Sequence, residues 1–172
     1  MQVRDAALAD LLAVEALVNA SWLDVYPPLI GEAETRRLIA EKHNGAKLAR
    51  QLGEPDHIFL VAEEDSEIVG NLYGFPQDGF YIDRLHARPD RRGRGIGSAL
   101  IDACEKRLPA GSRLWLDVLR GNDAALGFYE RQGFRQDGET DACGGLAGVP
   151  ATIMTASVGA RMKVPVAARA AS

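Results

Sequence analysis

The sequence predicts an α/β fold built on a mixed sheet, and three observations carry that expectation. Ile58-Phe59-Leu60-Val61-Ala62, Glu67-Ile68-Val69-Gly70-Asn71-Leu72-Tyr73-Gly74 and Phe80–Ala87 read as strands joined by short turns, the pattern of an antiparallel meander. Residues 85–100 then read as a strand end, a basic glycine-rich turn and a helix start. Ile96, Leu100, Ile101, Cys104 and Leu108 recur there at helical spacing. Arg113–Leu119 is a further strand. Reached through a helix from the Phe80–Ala87 strand, it should run parallel to it.

The remaining elements follow in order. Gln2-Val3-Arg4 fits a short first strand, with Asp5 as a helix cap. Leu8, Leu11, Leu12, Val14, Leu17, Val18 and Trp22 describe an amphipathic helix. Residues 24–31 should break it, because the residue before a proline avoids helix. From Glu32 to about Leu52 the spacing predicts a second helical region, and Asn44-Gly45 leaves open whether it is one helix or two. Pro89 ends the strand before the glycine turn, since it cannot donate to a sheet ladder. Pro109-Ala110-Gly111 closes the following helix. In the next strand Leu114, Leu116 and Val118 alternate with Trp115, Asp117 and Leu119. Asn122 is a natural helix cap and Gly133 a helix end. A strand should start at Phe134 and pair with a last one over 149–158. Residues 1–160 read as a single domain. Residues 161–172 are Ala-rich and patternless, the composition of a disordered tail.

Length and charge narrow the function. A chain of 172 residues supports one domain with a sizeable core. Its net charge of −4 argues against a general nucleic-acid or membrane binder, and no apolar run approaches a membrane span. Against that acidic background Arg84, Arg88, Arg91, Arg92 and Arg94 cluster with only Asp83 and Asp90 to offset them, which suits a small anionic ligand better than a polymer. Cys104 and Cys143 make neither a disulfide framework nor a metal motif. Cys104 sits on the apolar side of its helix as a buried thiol. The N-terminus lacks a signal-peptide core, so the expectation is a soluble cytoplasmic protein.

The glycine-rich turn is the most informative stretch. Gly93, Gly95 and Gly97 allow positive φ and a close ligand approach, and Arg91, Arg92 and Arg94 are interleaved with them. A helix N-terminus offers unpartnered N–H groups and partial positive charge, so the combination predicts a phosphate or pyrophosphate site. The plain alternative is an ordinary loop with solvated arginines; three alternating glycines at a helix start weigh against it. No Lys-Ser or Lys-Thr follows, so it is not a P-loop, and Gly93-Arg94-Gly95-Ile96-Gly97-Ser98 is G-x-G-x-G rather than G-x-G-x-x-G.

Arg91-Arg92-x-x-Gly95-x-Gly97 resembles the acetyl-CoA pyrophosphate loop of the GNAT N-acetyltransferase superfamily, and Leu85-x-Ala87-x-Pro89 resembles the strand that precedes it. Asn122-x-x-Ala125-x-x-Phe128-Tyr129-Glu130-Arg131-x-Gly133-Phe134 resembles the family's second signature. The two cover 80–138; before that only the pattern of elements matches. The resemblance implies a mixed twisted sheet of about seven strands with helices on both faces, and acetyl-CoA entering where two parallel strands separate. It implies cofactor contacts from Leu85, His86, Ala87, Arg92, Gly93, Arg94, Gly95, Ile96, Gly97, Ser98, Asn122, Phe128 and Tyr129. It also implies direct acetyl transfer to a primary amine, with no metal; a homodimer is an analogy from the superfamily.

Three chemical demands follow from such a transfer. A lysine-like amine has a pKa of about 10.4 and must lose a proton. The carbonyl oxygen gains negative charge and needs a fixed donor; the resemblance assigns the Leu85 backbone N–H, with Ala87 holding the pantetheine. The thiolate leaves more easily if protonated, a task for the Tyr129 hydroxyl. For the base, Asp83 should share the Leu85 face by alternation. Asp117 is placed like an acid used by some protein N-terminal acetyltransferases of the superfamily. These two rank equally, ahead of His86, which should point to the other face; each also reads as an ordinary strand residue, and a water relay could replace all three. Trp22 and Tyr26, in the connection after the first helix, mark either an acceptor wall or plain core. Two rivals stand beside this reading: a non-catalytic acyl-CoA sensor, and a transferase of a longer acyl group such as succinyl.

Overall fold

The computed structural model describes residues 1–161. One sheet contains β1 (Gln2–Asp5), β2 (Ile58–Glu64), β3 (Glu67–Pro76), β4 (Phe80–Ala87), β5 (Arg113–Leu119), β6 (Arg135–Cys143) and β7 (Leu146–Ser157). Their order is β1-β2-β3-β4-β5-β7-β6. Neighbours are antiparallel except β4 and β5, which the helical crossover makes parallel. The α-helices among the described residues are α1 (Leu11–Val25), α2 (Pro27–Ile30), α3 (Glu32–Lys42), α4 (Gly45–Leu52), α5 (Ile96–Glu105) and α6 (Asp123–Arg131).

The continuous apolar run of β2 reflects burial on both faces. Phe59 and Val61 pack with Leu11, Val14, Leu17, Val18 and Leu48 of α1 and α4. Ile58, Leu60 and Ala62 face the other way, into a core with Ile96, Leu100, Ile101 and Cys104 of α5 and Tyr129 of α6. The α5 side leaves no slack: a Cβ on Gly70 would lie 2.3 Å from Ile96 Cγ2.

Several boundaries differ from the sequence-based expectation. Asp5 stays in β1 and accepts from Arg107 at 3.0 Å; Asp10 is the carboxylate at the first helix, accepting the Ala7 N–H at 2.7 Å. The expected break at 24–31 is only a joint. Tyr26 keeps helical angles (φ −88°, ψ −24°) before Pro27, because the proline falls at the first position of α2, where no N–H is needed. Residues 32–52 form two helices, since Asn44 caps α4 by accepting the Lys47 N–H at 3.0 Å. The α5 helix stops at Glu105, short of Leu108, and tightens into i→i+3 bonds ahead of Pro109. β6 extends to Cys143 and β7 starts at Leu146, around a turn in which Gly144 and Gly145 take φ of 55° and 76°. Of the tail, Arg161 is held by Asp102 at 2.8 Å and Glu105 at 2.7 Å. The expectation for 162–172 lies outside the described residues.

Candidate active site

The site begins as an opening in the sheet. β4 and β5 pair only at Phe80/Leu114 and Tyr81/Trp115, then separate. Which amides this exposes follows from the ladder. The Arg88 N–H donates to Val69 O at 2.9 Å. Hydrogen-bonded pairs alternate in an antiparallel ladder, so His86/Asn71 is also bonded, while Leu85/Leu72 and Ala87/Gly70 are not. The backbone polar groups of Leu85 and Ala87 therefore face away from β3, into the opening. On β5, the Arg120 N–H to Pro150 O bond sets the same alternation against β7 and turns Asp117 and Leu119 toward the gap.

Directly below lies the glycine turn. Gly93 and Gly95 take φ of 78° and 79°, and a Cβ at either would meet nothing within 4 Å, so open space adjoins the backbone. Gly95 is the N-cap of α5. Outside the helices and strands, no backbone carbonyl among the described residues accepts from the amides of 93–97. Gly97 has a different reason to be small, since a Cβ there would sit 2.8 Å from the Phe128 ring. The arginines are not a free positive cluster. Arg88 pairs with Glu67 and Asp90 at 2.9 Å each, Arg91 with Glu64 at 3.1 Å, and Arg92 with Asp24. Arg94 is 3.9 Å from Glu64. Arg84 leaves the cluster altogether, buried on the α1 side of the sheet. The pairs around the loop are largely exposed and individually weak, so a ligand's phosphates can displace them.

Opening and turn share one cleft of about 1160 Å³. Leu85, His86, Ala87, Arg92, Gly93, Gly95, Ile96, Gly97, Ser98, Asn122, Phe128 and Tyr129 all line it, as do Asp83 and Asp117; Arg94 does not. A recess of about 350 Å³ also touches Asp83 and Asp117, so these carboxylates stand where two spaces meet.

Asp83 is not on the Leu85 face. Tyr73 pairs with Arg84 and Gly74 with Ile82, which leaves Asp83 as the extra residue of a β-bulge. Ile82 and Leu85 thus both pack toward α5, while Asp83 stands with Arg84 on the α1–α4 side. Burial pushes the Asp83 carboxyl above the ordinary carboxylate range, with Arg84, Lys42 and Lys47 opposing and Asp117 adding to the rise. Asp117 accepts from Tyr81 Oη at 3.1 Å and from the Gly144 N–H at 3.2 Å, both at Oδ2; its Oδ1 is buried without a partner.

His86 points, as expected, to the face opposite Leu85, but it is not a solvated residue. Its Nε2 accepts from Trp22 Nε1 at 3.3 Å, which leaves the proton on Nδ1 to donate to Ser21 Oγ at 3.0 Å. Burial, with the Arg84 and Arg92 charges, pushes it down to about 3, so the ring is neutral and both nitrogens are engaged. That removes His86 as a base. Tyr129 is 8% exposed and packs against Phe128 and Phe134 at 5.1 and 5.5 Å. Burial, reinforced by Tyr26, raises its hydroxyl, which keeps its proton at neutral pH. Asn122 spends its side-chain oxygen on capping α6, at 3.2 Å from the Ala125 N–H. Tyr81, Lys42 and His43 were absent from the sequence-based set. Only Tyr81 carries a signal in the sequence, as the strand aromatic two residues before Asp83.

A sheet parted at its parallel pair beside a glycine-rich helix start is the frame that the resemblance implies. Residues 16–134 match the model of the acetyltransferase (GNAT) family, and the chain belongs to that family. An acetyltransferase of Pectobacterium atrosepticum is 42% identical over 91 residues, and one of Yersinia pestis is 40% identical over 91 residues; each match covers 49% of this chain and 62% of the relative. The chain thus spans less than two thirds of the length of these relatives. Among solved structures, the PaiA N-acetyltransferase of Thermoplasma acidophilum, determined in complex with coenzyme A, superposes with a TM-score of 0.79 at 23% identity, over 91% of this chain and 98% of that one. That likeness concerns the fold.

Proposed function

We propose that the chain is an acetyl-CoA-dependent N-acetyltransferase that passes the acetyl group directly to a primary amine, within one domain spanning 1–160. The observation that carries this is the convergence of two sets of unspent backbone donors on one cleft: the amides of Gly93, Gly95, Ile96 and Gly97 at the start of α5, and those of Leu85 and Ala87 along the parted edge of β4. The residues fit the cofactor. Amides at a helix start, with open space at Gly93 and Gly95, suit a pyrophosphate. The strand edge suits an amide-bearing pantetheine arm, which it can bind as an added strand would.

When bound, acetyl-CoA supplies an acyl group activated as a thioester. The Leu85 N–H is a fixed donor for an oxygen gaining negative charge, held in place by the ladder on its other side. Tyr129 keeps a phenolic proton available to a leaving sulfur. Asp83, raised by burial, is a better proton acceptor than an ordinary carboxylate, and Asp117 holds the amine through its unpartnered oxygen. The opposite-charge logic of two carboxylates also draws an ammonium into the gap. No described helix is long and apolar enough to cross a membrane.

The test combines calorimetry with acetyl-CoA and a thiol-release assay over amines, amino acids and peptides. Acetyl-CoA should bind, and at least one primary amine should accelerate thiol release. No binding at millimolar acetyl-CoA would refute the proposal, and binding without turnover over the whole panel would turn it into a sensor.

A further inference from the structure

The α1–α4 side of the cleft carries groups that the transfer chemistry leaves unused. Arg84 is 2% exposed. Its Nε donates to Asn71 Oδ1 at 2.7 Å and its Nη1 to Gln51 Oε1 at 3.0 Å, while its guanidinium lies over the Phe59 and Tyr73 rings at 5.2 and 5.1 Å. All of these partners are neutral. Among the described residues no carboxylate reaches it within ion-pair distance, Asp83 included, and Nη2 has no partner. His43, from the joint between α3 and α4, is 5% exposed and has no partner at either ring nitrogen. Its ring stands edge-on to Trp22 at 4.8 Å. Both side chains line the cleft, together with Lys42 and Lys47.

Asp83 acts on the buried Arg84 cation only through space and makes no ion pair with it, and a buried polar atom left unpaired costs about 1–3 kcal/mol. An orphaned buried group calls for an explanation, and an absent ion or ligand is one. The unspent atoms include two donors, an Arg84 N–H edge and one N–H of His43, whose neutral ring, pushed down to about 2 by burial, also leaves its other nitrogen as an unpaired acceptor. Lys42 and Lys47 add positive field to the same side. Asp83 and Asp117 stand at the neighbouring junction, where the two spaces meet. A donor-rich end beside a pair of acids is the complement of a molecule with an anionic group next to an amine.

We infer that Arg84 Nη2 and the His43 ring N–H form a carboxylate subsite, so that the acceptor is amino-acid-like, with its amine at Asp83 and Asp117 and its carboxylate at Arg84 and His43. This rests on the amine-acetylation reading and narrows it. Simple polyamines and peptide amides lack the matching anion and are poor occupants. Arg84 and His43 are specificity residues here and take no part in the proton movements.

The test measures binding apart from turnover. The protein is saturated with coenzyme A, and matched sets of a free amino acid, its amide and its decarboxylated amine are titrated by calorimetry. The same sets then serve as acceptors in thiol release with acetyl-CoA. In at least one set the free acid should bind about tenfold or more tighter than its two analogues, the value of one charge-assisted hydrogen bond, and kcat/KM should follow the same order. His43→Phe and Arg84→Met, each checked for folding by thermal unfolding, should shrink the preference to about threefold or less by raising the KM of the acid, with the KM of acetyl-CoA unchanged. Arg84→Met tests the charge; His43→Phe keeps the ring and serves if the first variant does not fold. Amides or decarboxylated amines that bind as tightly as the acids overturn the inference, as does a preference intact in every folded variant, or no acceptor binding at all. Failure of the acetyl-transfer reading looks different: acids bind to the coenzyme A-loaded protein, but no thiol is released.

Discussion

Replacing the single backbone N–H of Leu85 by an ester oxygen, through incorporation of the matching α-hydroxy acid, separates catalysis from folding. The ladder makes the separation possible. Leu85/Leu72 is a non-bonded pair, so that N–H faces the gap between β4 and β5 and holds no strand in place. Its removal should cost less than about 1 kcal/mol of stability, the part due to a weaker carbonyl at Arg84. As the fixed donor for the carbonyl oxygen, the same N–H is worth about 2.7–4 kcal/mol in the reaction, so kcat should fall by about 10²–10³-fold. The same replacement at His86 is the control. That N–H belongs to the bonded His86/Asn71 pair, so stability should drop by about 1 kcal/mol or more while kcat changes little. Denaturant unfolding and steady-state thiol release are read on both proteins. A Leu85 ester with undiminished kcat would refute the assignment, and equal stability losses at both positions would refute the deduced ladder.

Further outcomes follow from other features. Gly95→Ala places a side chain at φ 79° with nothing within 4 Å to strike, so it should cost about 1–2 kcal/mol of backbone strain and weaken acetyl-CoA binding measured by calorimetry. Gly70→Ala should act through packing. Its Cβ would drive Ile96 away, at about 1–3 kcal/mol in denaturant unfolding, and shift the α5 start enough to weaken acetyl-CoA binding as well. Tyr81→Phe removes the phenol that bonds Asp117 at 3.1 Å, a charge-assisted bond worth about 1.5–3 kcal/mol, and should lower both unfolding stability and kcat. The native pKa values of His86 and His43, about 3 and about 2, lie below the unfolded value of about 6.5, so the unfolded chain binds more protons. Their contribution is complete above about pH 6.5 and is lost as the pH falls, by about 1.4 kcal/mol per unit for each imidazole. Asp83 acts in the opposite sense because burial raises it. Urea unfolding from pH 7 to 5 in an Asp83→Asn background checks the slope, and a flat profile contradicts it.

What the chain reveals before folding depends on how many residues each feature needs. The glycine turn and its helix start were readable because positive φ at Gly93 and Gly95 is a local property. The parallel setting of β5 followed from one intervening helix, and the Asn122 cap from one side chain. The side of Asp83 was not readable by alternation, since its bulge exists only in the register with Tyr73 and Gly74. The fate of Arg84 was hidden for a related reason: Asn71, Gln51, Phe59 and Tyr73 arrive from three other elements to bury it. β6 escaped notice beyond its first residues because an exposed edge strand of polar residues carries no hydrophobic rhythm.

The two residue pairs that join β4 to β5 are a seam between two leaves, one made of β1–β4 and the other of β5–β7. An occupant lying along that seam touches both leaves and acts as mortar between them. Hydrogen exchange should therefore slow throughout β5 and β7 when the cleft is filled, including at Ser157 and Arg113, which do not line it.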